Sequence, residues 1–226
     1  MRRSQDEIFA ASEGNKWFER NKEALERFDP EADFPLKLME LYRLRPRSVL
    51  EVGAANGFRL AAVSERHGAS VVALELSVEA ILDGKARFPC IKFVQGGAYA
   101  IPLQESFDLI IVNFVFHWID RANILRCVAE INRLLGDGGY LIIGDFCPSS
   151  LIKVRYHHLA EEEVYTYKQN YAATFLASGL YHSVGLMTGS HSSKTLTGEV
   201  AEGERIGVWL LRKRLAEHYV EDVAHP

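Results

Sequence analysis

A turn of small residues is the segment best suited to bind a ligand through its backbone. In VLEVGAANGF (49–58), Gly53, Ala55 and Gly57 keep the chain narrow where a predicted strand leads into a predicted helix. Glu51 lies two residues before the first glycine, so its carboxylate would repel a pyrophosphate but suit a ligand bearing an ammonium group or another positive charge. The next predicted strand ends in Glu75, where a carboxylate can accept hydrogen bonds from both hydroxyls of a ribose.

The elements around this turn are short apolar, β-branched runs that alternate with amphipathic segments, as parallel strands alternate with crossover helices. A helical stripe of Ile124, Val128 and Ile131 precedes the last of these runs, with Asp120 as its expected N-cap. Five βα units predict a doubly wound, Rossmann-like α/β sheet. Its parallel strands are expected at SVLEV (48–52), ASVVALE (69–75), IKFV (91–94), FDLIIVN (107–113) and GYLIIGD (139–145).

The two ends of the chain complete the predicted fold. The first 45 residues are charged and helix-prone, and predict a helical N-terminal cap with a break at ASEGN (11–15). After Pro148 we predict a helix at YTYKQNYAATFLASG (165–179). The runs LYHSVGLM (180–187) and RIGVWLLR (205–212) predict a terminal antiparallel hairpin, because the segment between them is too polar for a crossover helix. The sheet is therefore expected to have seven strands.

The turn and its two acids resemble those of class I S-adenosylmethionine-dependent methyltransferases, a similarity that covers residues 48–146. The middle glycine of the family's turn is Ala55 here, and the acid often found at the position of Gly97 is missing. The resemblance implies S-adenosyl-L-methionine as cofactor, with the turn at its methionyl part, Glu75 at ribose and the segment after the third strand at adenine. The cofactor-binding residues it implies are Glu51, Gly53, Ala54, Asn56, Gly57, Glu75, Leu76, Gly97, Ala98 and Asn113.

The N-terminal segment EGNKWFERN (13–21) and the later YHHLAEEEVYTYKQNY (156–171) resemble, more loosely, methyltransferases associated with surface-polysaccharide and modified-sugar synthesis. In such enzymes N-terminal helices close over the cofactor. The resemblance implies that Trp17 and Arg20, with Phe18 and Asn21, screen the sulfonium and bind the methionyl carboxylate. The alternative is an amphipathic helix that packs Trp17 and Phe18 against the sheet edge.

The predicted helix at 165–179 divides into two faces at about 100° per residue. Val164, Tyr167, Tyr171 and Phe175 fall on the face expected in the core. The other face carries Tyr165, Lys168 and Gln169, and we predict that Tyr165 and Lys168 bind a polar acceptor or its phosphate. The alternative is a solvated helix face.

Three of the eight histidines are candidates for the general base that a hydroxyl acceptor would need. His117 follows the fourth strand, at the carboxyl edge of the sheet where α/β proteins bind ligands. His157 and His158 lie on the segment after the fifth strand, which commonly lines the acceptor pocket. Asn113 and Asp145 are the only metal-ligand candidates at the ends of strands four and five, so we predict a site without metal.

The composition of the chain limits which classes of partner are expected. A net charge of -4 over 226 residues disfavours nucleic acid as a partner, since binding its backbone needs concentrated basic charge. Three widely spaced cysteines favour reduced thiols in a cytoplasm. No apolar run approaches the 20 or so residues of a membrane span, so we expect no membrane association. The oligomeric state is left open between a monomer and a homodimer.

The sequence thus predicts one methyltransferase domain over 1–226, divided into a helical cap (1–45), a cofactor-binding half (46–147) and an acceptor side with the closing hairpin (148–226). Its predicted reaction is methyl transfer to O or N of a small molecule, with a sugar-derived metabolite as the preferred class. A non-catalytic binding protein with the same fold is one alternative. A nicotinamide-dependent oxidoreductase is another, disfavoured because the turn does not fit GxGxxG.

Overall fold

A central sheet occupies the middle of the structure, a computed structural model that describes residues 3–216, 219 and 221. The strands are β1 Ser48–Val52, β2 Ser70–Glu75, β3 Lys92–Gln95, β4 Phe107–Asn113, β5 Leu135–Phe146, β6 Ile152–Arg155, β7 Tyr165–Lys168, β8 Tyr181–Ser190 and β9 Arg205–Lys213. Seven of them form one sheet in the order β3-β2-β1-β4-β5-β9-β8. The first five are parallel, and β9 pairs antiparallel with both β5 and β8. The predicted fold, including its terminal hairpin, is confirmed.

Helices cover both faces of this sheet. They are α1 Gln5–Ile8, α2 Gly14–Glu26, α3 Phe34–Leu41, α4 Phe58–His67, α5 Val78–Arg87, α6 Ile124–Leu134 and α7 Ala172–Ala177. Local chemistry sets several of their starts: Ser4 forms a capping box with Glu7, and the side chains of Asp33 and Ser77 cap α3 and α5. No helix in the described ranges has both the length and the apolar character needed to cross a membrane.

The core lies in two layers, one on each face of the sheet. On one face Leu36 of α3 and Leu60 of α4 pack against alternate residues of the central strands. On the other, Ile131 of α6 and Phe175 of α7 pack with Phe116 against the remaining strand residues. Because parallel strands are buried on both faces, β1 and β4 are almost continuously apolar, which explains why their predicted bounds match the structure.

The segment 165–179 was wrongly predicted as one helix. Tyr165–Lys168 forms β7 and pairs antiparallel with β6 in a separate two-stranded ribbon, and only Ala172–Ala177 is helical. Tyr and Thr favour extended backbone, and the Gln5 side chain bonds both the N–H and the carbonyl of Tyr165. Packing against the N-terminal helix therefore outweighs the helical spacing of the apolar residues.

Three smaller expectations are also corrected. ASEGN (11–15) does not break the N-terminal helix, since a π-helical turn at Phe9–Glu13 joins α1 to α2. Residues 96–106, between β3 and β4, form no helix, so the predicted βα alternation is incomplete. The N-cap position of α6 is Asn123 rather than Asp120, because Asp120 belongs to the preceding turn and accepts from the Ala122 N–H.

Candidate active site

The small-residue turn connects β1 to α4 and has a left-handed backbone at three positions. Gly53 (φ 70°), Ala55 (φ 49°) and Gly57 (φ 82°) all lie in the region that favours glycine, and Gly57 is the N-cap residue of α4. A side chain at Gly53 would clash with Val115, so the turn lies directly against the segment after β4. Backbone N–H groups of Gly53 and Ala54 donate to the Leu74 carbonyl and fix the turn beside β2.

Glu75, at the end of β2, closes onto this turn. Its Oε2 accepts from the Ala55 N–H at 2.8 Å, and its Oε1 accepts from the N–H groups of Leu76 and Ser77 at 2.8 and 2.9 Å. Burial raises the pKa of Glu75, although the three backbone donors oppose that shift. A carboxylate has about four acceptor positions, so one remains for a ligand hydroxyl.

Glu51 is engaged by a buried arginine that the sequence analysis did not identify. Arg59 of α4 donates to Glu51 Oε1 and binds Asp33 with two nitrogens at 2.8 to 3.1 Å. All three side chains are less than a tenth exposed. Burial raises the pKa of Glu51 to about 7 despite the opposing charge of Arg59. Its Oε2 is buried without a hydrogen-bond partner, which leaves one oxygen for a donor from a ligand.

The other predicted cofactor residues lie along the same edge. Asn56 donates to Asp83 of α5 at 2.9 Å, so that nitrogen faces the helix. Leu76 packs with the apolar cluster of the N-terminal helix. Ala98 is buried in the core, whereas Gly97 and Asn113 are half-buried at the ends of β3 and β4.

The N-terminal helix crosses this edge above β2. The Ser77 hydroxyl donates to Asn15 Oδ1 at 2.8 Å, which fixes the helix over the end of the strand. Trp17 is half-buried, and its ring meets that of Trp118 edge-on with 6.0 Å between the ring centroids. Arg20, predicted to bind a methionyl carboxylate, instead donates to Glu13 and to the Tyr156 hydroxyl.

His117 and Asp145 form a buried pair at the ends of β4 and β5. His117 Nδ1 lies 2.9 Å from Asp145 Oδ1, and the His117 backbone N–H donates to Oδ2 at 3.2 Å. Both side chains are 3% exposed. With Nδ1 facing the carboxylate, Nε2 is the nitrogen that can exchange a proton with a ligand. The hydrogen bond that joins the two residues is the one from the His117 backbone N–H, since the buried Nδ1 has no hydrogen-bond partner among the described residues.

Aromatic rings surround this pair on its outer side. Phe114, Phe146 and His191 pack with ring centroids 4.9 to 5.6 Å apart, and His117 lies 5.3 Å from Phe146. Phe114 has a φ of 56°, an uncommon conformation for a phenylalanine. Lys168 Nζ lies 3.9 Å from the centre of the Phe146 ring and donates to the Gly203 carbonyl. Burial lowers the pKa of Lys168.

The remaining candidates lie further out. His157 and His158 are exposed and lie on a short 3₁₀ turn. Their ring centroids are 5.9 and 5.4 Å from the ring centroid of Tyr156. The half-buried Tyr165 ring lies under Lys153 Nζ at 3.6 Å. Of the three histidines, the structure places only His117 beside a carboxylate at the sheet edge. Over the described residues, no group of three or more His, Cys, Asp or Glu side chains could hold a metal ion.

Four site residues were missed or not assigned a role. Asp145 could have been found from its place after the fifth strand. Arg59, Glu13 and His191 had no comparable signal. Arg59 becomes notable through Asp33, 26 residues away, Glu13 through Tyr156, and His191 through a packed ring.

Comparison with known proteins identifies the domain. Residues 50–143 match the model of the methyltransferase domain family. The chain is 34% identical over 122 residues to malonyl-acyl-carrier protein O-methyltransferase 1 of Coxiella burnetii, covering 53% of this chain and 41% of that protein. It is 32% identical over 99 residues to demethylmenaquinone methyltransferase of Renibacterium salmoninarum, and the match covers 43% of this chain and 40% of that protein. The chain thus spans about two fifths of the length of these curated relatives.

Solved structures share the fold over nearly the whole chain. The 1,6-didemethyltoxoflavin-N1-methyltransferase of Burkholderia thailandensis, solved with its acceptor and S-adenosylhomocysteine, superposes with a TM-score of 0.70 at 17% identity. That match covers 95% of this chain and 92% of the other. The N-methyltransferase NodS of Bradyrhizobium japonicum superposes with a TM-score of 0.60 at 18% identity. That match covers 86% of this chain and 99% of the other.

The sheet order, the turn and the methyltransferase-domain match over residues 50–143 support the predicted class I S-adenosylmethionine-dependent methyltransferase. The predictions of class, fold and cofactor are confirmed, and the nicotinamide and non-catalytic alternatives are not favoured. The site fits the cofactor, since Glu51 Oε2 is a buried acceptor without a donor and Glu75 has one acceptor position left.

Proposed function

We propose that this chain transfers a methyl group from S-adenosylmethionine to an oxygen or nitrogen atom of a small-molecule acceptor. The observation that carries the proposal is the buried His117–Asp145 pair, 2.9 Å apart at the carboxyl ends of β4 and β5. Ligands of open α/β sheets bind at this edge. Contact between the Gly53 turn and Val115 brings the predicted cofactor turn next to the segment that carries His117.

The proposed cofactor contacts lie along this edge of the sheet. The cofactor supplies a methyl group on a positively charged sulfur, and its transfer is an in-line displacement that depends on alignment. In the proposal Glu75 accepts from one ribose hydroxyl at its remaining acceptor position, and Glu51 Oε2 accepts from the ammonium group. The methionyl part is contacted by the turn residues Gly53, Ala54, Asn56 and Gly57. Adenine is bordered by Leu76, Gly97 and Ala98. Asn113 lies near the sulfur. Trp17 and Arg20 would close over the site.

The histidine pair supplies the proton chemistry. His117 takes a proton from the acceptor at Nε2, while the charge of the Asp145 carboxylate, 2.9 Å from Nδ1, stabilises the imidazolium that forms. A hydroxyl acceptor needs this base at the moment of transfer, whereas an amine needs it only to lose its extra proton. The exposed His157 and His158 are the secondary candidates for the same role.

The acceptor is proposed to reach the site from the side of β7. Lys168 is half-buried, and no carboxylate of the described residues lies within 4.0 Å of its ammonium group. An anionic group of the acceptor, such as a carboxylate or phosphate, would pair with Lys168 at closer range than Glu204 and Asp145 do. Tyr165, three residues earlier on strand β7, has its side chain on the opposite face of that strand, so the single face predicted for Tyr165 and Lys168 on a helix is wrong. A sugar-derived metabolite is the class that the N-terminal resemblance suggests, and the structural neighbours include enzymes that methylate nitrogen in small molecules.

Calorimetric titration with S-adenosylhomocysteine tests the cofactor half of the proposal. Binding in the micromolar range is expected, without competition by NADH. Incubation of the protein and S-adenosylmethionine with a panel of phosphorylated sugars and amino sugars, read by release of S-adenosylhomocysteine, then tests the acceptor. Absence of cofactor binding would refute the proposed reaction.

The setting of the reaction is also a proposal. The net charge of -4 supports a small-molecule acceptor rather than nucleic acid. The free cysteines Cys90, Cys127 and Cys147 support a reducing, cytoplasmic location. A homodimer is tested by sedimentation of the purified protein.

A further inference from the structure

Four aromatic rings form a roof over the carboxyl edge of the sheet. This aromatic roof consists of Phe9, Trp17, Trp118 and Tyr156. The Trp118 ring is its centre, with centroid distances of 5.3 Å to Phe9, 6.0 Å to Trp17 and 5.8 Å to Tyr156. The rings come from the N-terminal helix, the turn after β4 and the segment after β6, so the roof exists only in the folded chain.

A buried carboxylate belongs to this roof. Glu13 is 0% exposed, and its Oε1 accepts from the Tyr156 hydroxyl at 2.9 Å and from Arg20. Its Oε2 is buried without a hydrogen-bond partner, and so is Nε1 of Trp118. Leaving a buried carboxylate oxygen unpaired is costly, so Oε2 needs a donor that the described residues do not supply.

The roof lies between the predicted cofactor edge and the histidine pair. Gly14, next to Glu13, lies against Leu76 and Ser77 at the end of β2. Trp118 follows His117 directly, and their ring centroids are 4.3 Å apart. A ligand group beneath Glu13 would therefore lie close to both the cofactor and the proposed base.

The charges around Glu13 favour a cation. Arg20 binds Glu13 directly through Oε1, whereas Oε2 of this wholly buried carboxylate has no donor within the part of the chain that the structure describes. His158, also close to Arg20 and Glu13, has a pKa lowered by desolvation first and by the charges of Arg20 and His157 next. The faces of tryptophan and tyrosine attract cations more strongly than neutral donors.

We propose that Glu13 and the aromatic roof bind the amino group of the acceptor, so that the methylated atom is nitrogen. This inference rests on the proposed methyl transfer. The amine binds as its ammonium ion, donates to Glu13 Oε2, and gives one proton to His117. The nitrogen lone pair then forms the N–C bond as the C–S bond breaks, its electron pair passing to sulfur to leave neutral S-adenosylhomocysteine, and the methylated ammonium carries the positive charge.

A matched pair of probes tests the inference without knowledge of the acceptor. Butylammonium and butan-1-ol have the same chain and differ in the charged group. Each is titrated into protein saturated with S-adenosylhomocysteine, and binding is followed by tryptophan fluorescence, since Trp17 and Trp118 lie in the roof. The wild type is expected to bind butylammonium on the order of tenfold more tightly than butan-1-ol, a preference in the range of a cation–aromatic contact.

Glu13→Gln keeps the shape of the side chain and removes its charge, so the preference for butylammonium should disappear. Glu23→Gln, at an exposed position of the same helix, is the matched control and should keep it. Should Glu13→Gln fail to fold, Trp118→Leu removes a ring face without changing charge and should lower the preference several-fold.

The outcomes separate this inference from the proposed reaction. Equal binding of the two probes to the wild type, or an unchanged preference in Glu13→Gln, overturns the amine site while methyl transfer stands. A tenfold loss of S-adenosylhomocysteine affinity in Glu13→Gln assigns Glu13 to the cofactor and also overturns it. If wild-type protein does not bind S-adenosylhomocysteine, the proposed function fails, and this inference fails with it.

Discussion

Arg59 and Glu51 form an ion pair that is almost completely buried beneath the cofactor turn. The acid comes from β1 and the arginine from the first turn of α4, so the pair bridges the two ends of the turn. Asp33, the N-cap of α3, binds the same guanidinium, which ties a third element to the site. The carboxylate that precedes the turn is therefore held in place before any ligand arrives.

Removing this arginine should be strongly destabilising. Arg59→Met leaves Glu51 and Asp33 buried without their shared partner, and breaking a buried pair in this way costs about 3–5 kcal/mol. Denaturant unfolding, followed by circular dichroism, measures the loss. Arg66→Met, in the same helix but paired with the exposed Glu31, is the matched control and should cost less than about 1 kcal/mol. Equal losses in the two variants would contradict a special role for Arg59.

Stability should depend on pH through Glu51. Its pKa is about 7 in the folded protein and close to 4.5 when unfolded, so between these values the folded state binds more protons. The free energy of unfolding contributed by this group therefore falls as pH rises from about 4.5 to 7. Glu51→Gln removes this contribution, and the difference between the two pH profiles of unfolding isolates it. A constant difference from pH 4.5 to 7 would show that Glu51 does not titrate there.

Loss of Glu75 should weaken cofactor binding. In Glu75→Ala a ligand loses one charge-assisted hydrogen bond, worth about 1.5–3 kcal/mol, which is equivalent to roughly tenfold to a hundredfold in affinity. Calorimetry with S-adenosylhomocysteine measures the change. Glu65→Gln, at an exposed position of α4, should bind as the wild type does. Unchanged affinity in Glu75→Ala would remove this residue from the cofactor site.

Loss of Asp145 should affect turnover more than binding. Asp145→Asn no longer stabilises the imidazolium of His117, so kcat should fall by about a hundredfold or more. The affinity for S-adenosylhomocysteine should change little, because Asp145 is not among the proposed cofactor contacts. Asp29→Asn, at an exposed position, is the control.

Much of the fold could be predicted because its signals are local. The runs at β1 and β4 are bounded as predicted, since strands buried on both faces need an unbroken apolar stretch whatever lies around them. The ribbon strand β7 could not be predicted in this way. Its tyrosines fit both a helical and an extended pattern, and bonds from Gln5, 160 residues away, favour the extended form.

The sequence by itself determined the parallel sheet, the closing hairpin and the turn with its two acids, because backbone geometry and strand burial leave their pattern in neighbouring residues. Tertiary structure alone decided which charges meet. Glu13 joins Tyr156 across 143 residues, and His117 meets Asp145 because β4 and β5 end at the same edge. Such pairings depend on distances in the folded chain, and the spacing of residue types does not encode them.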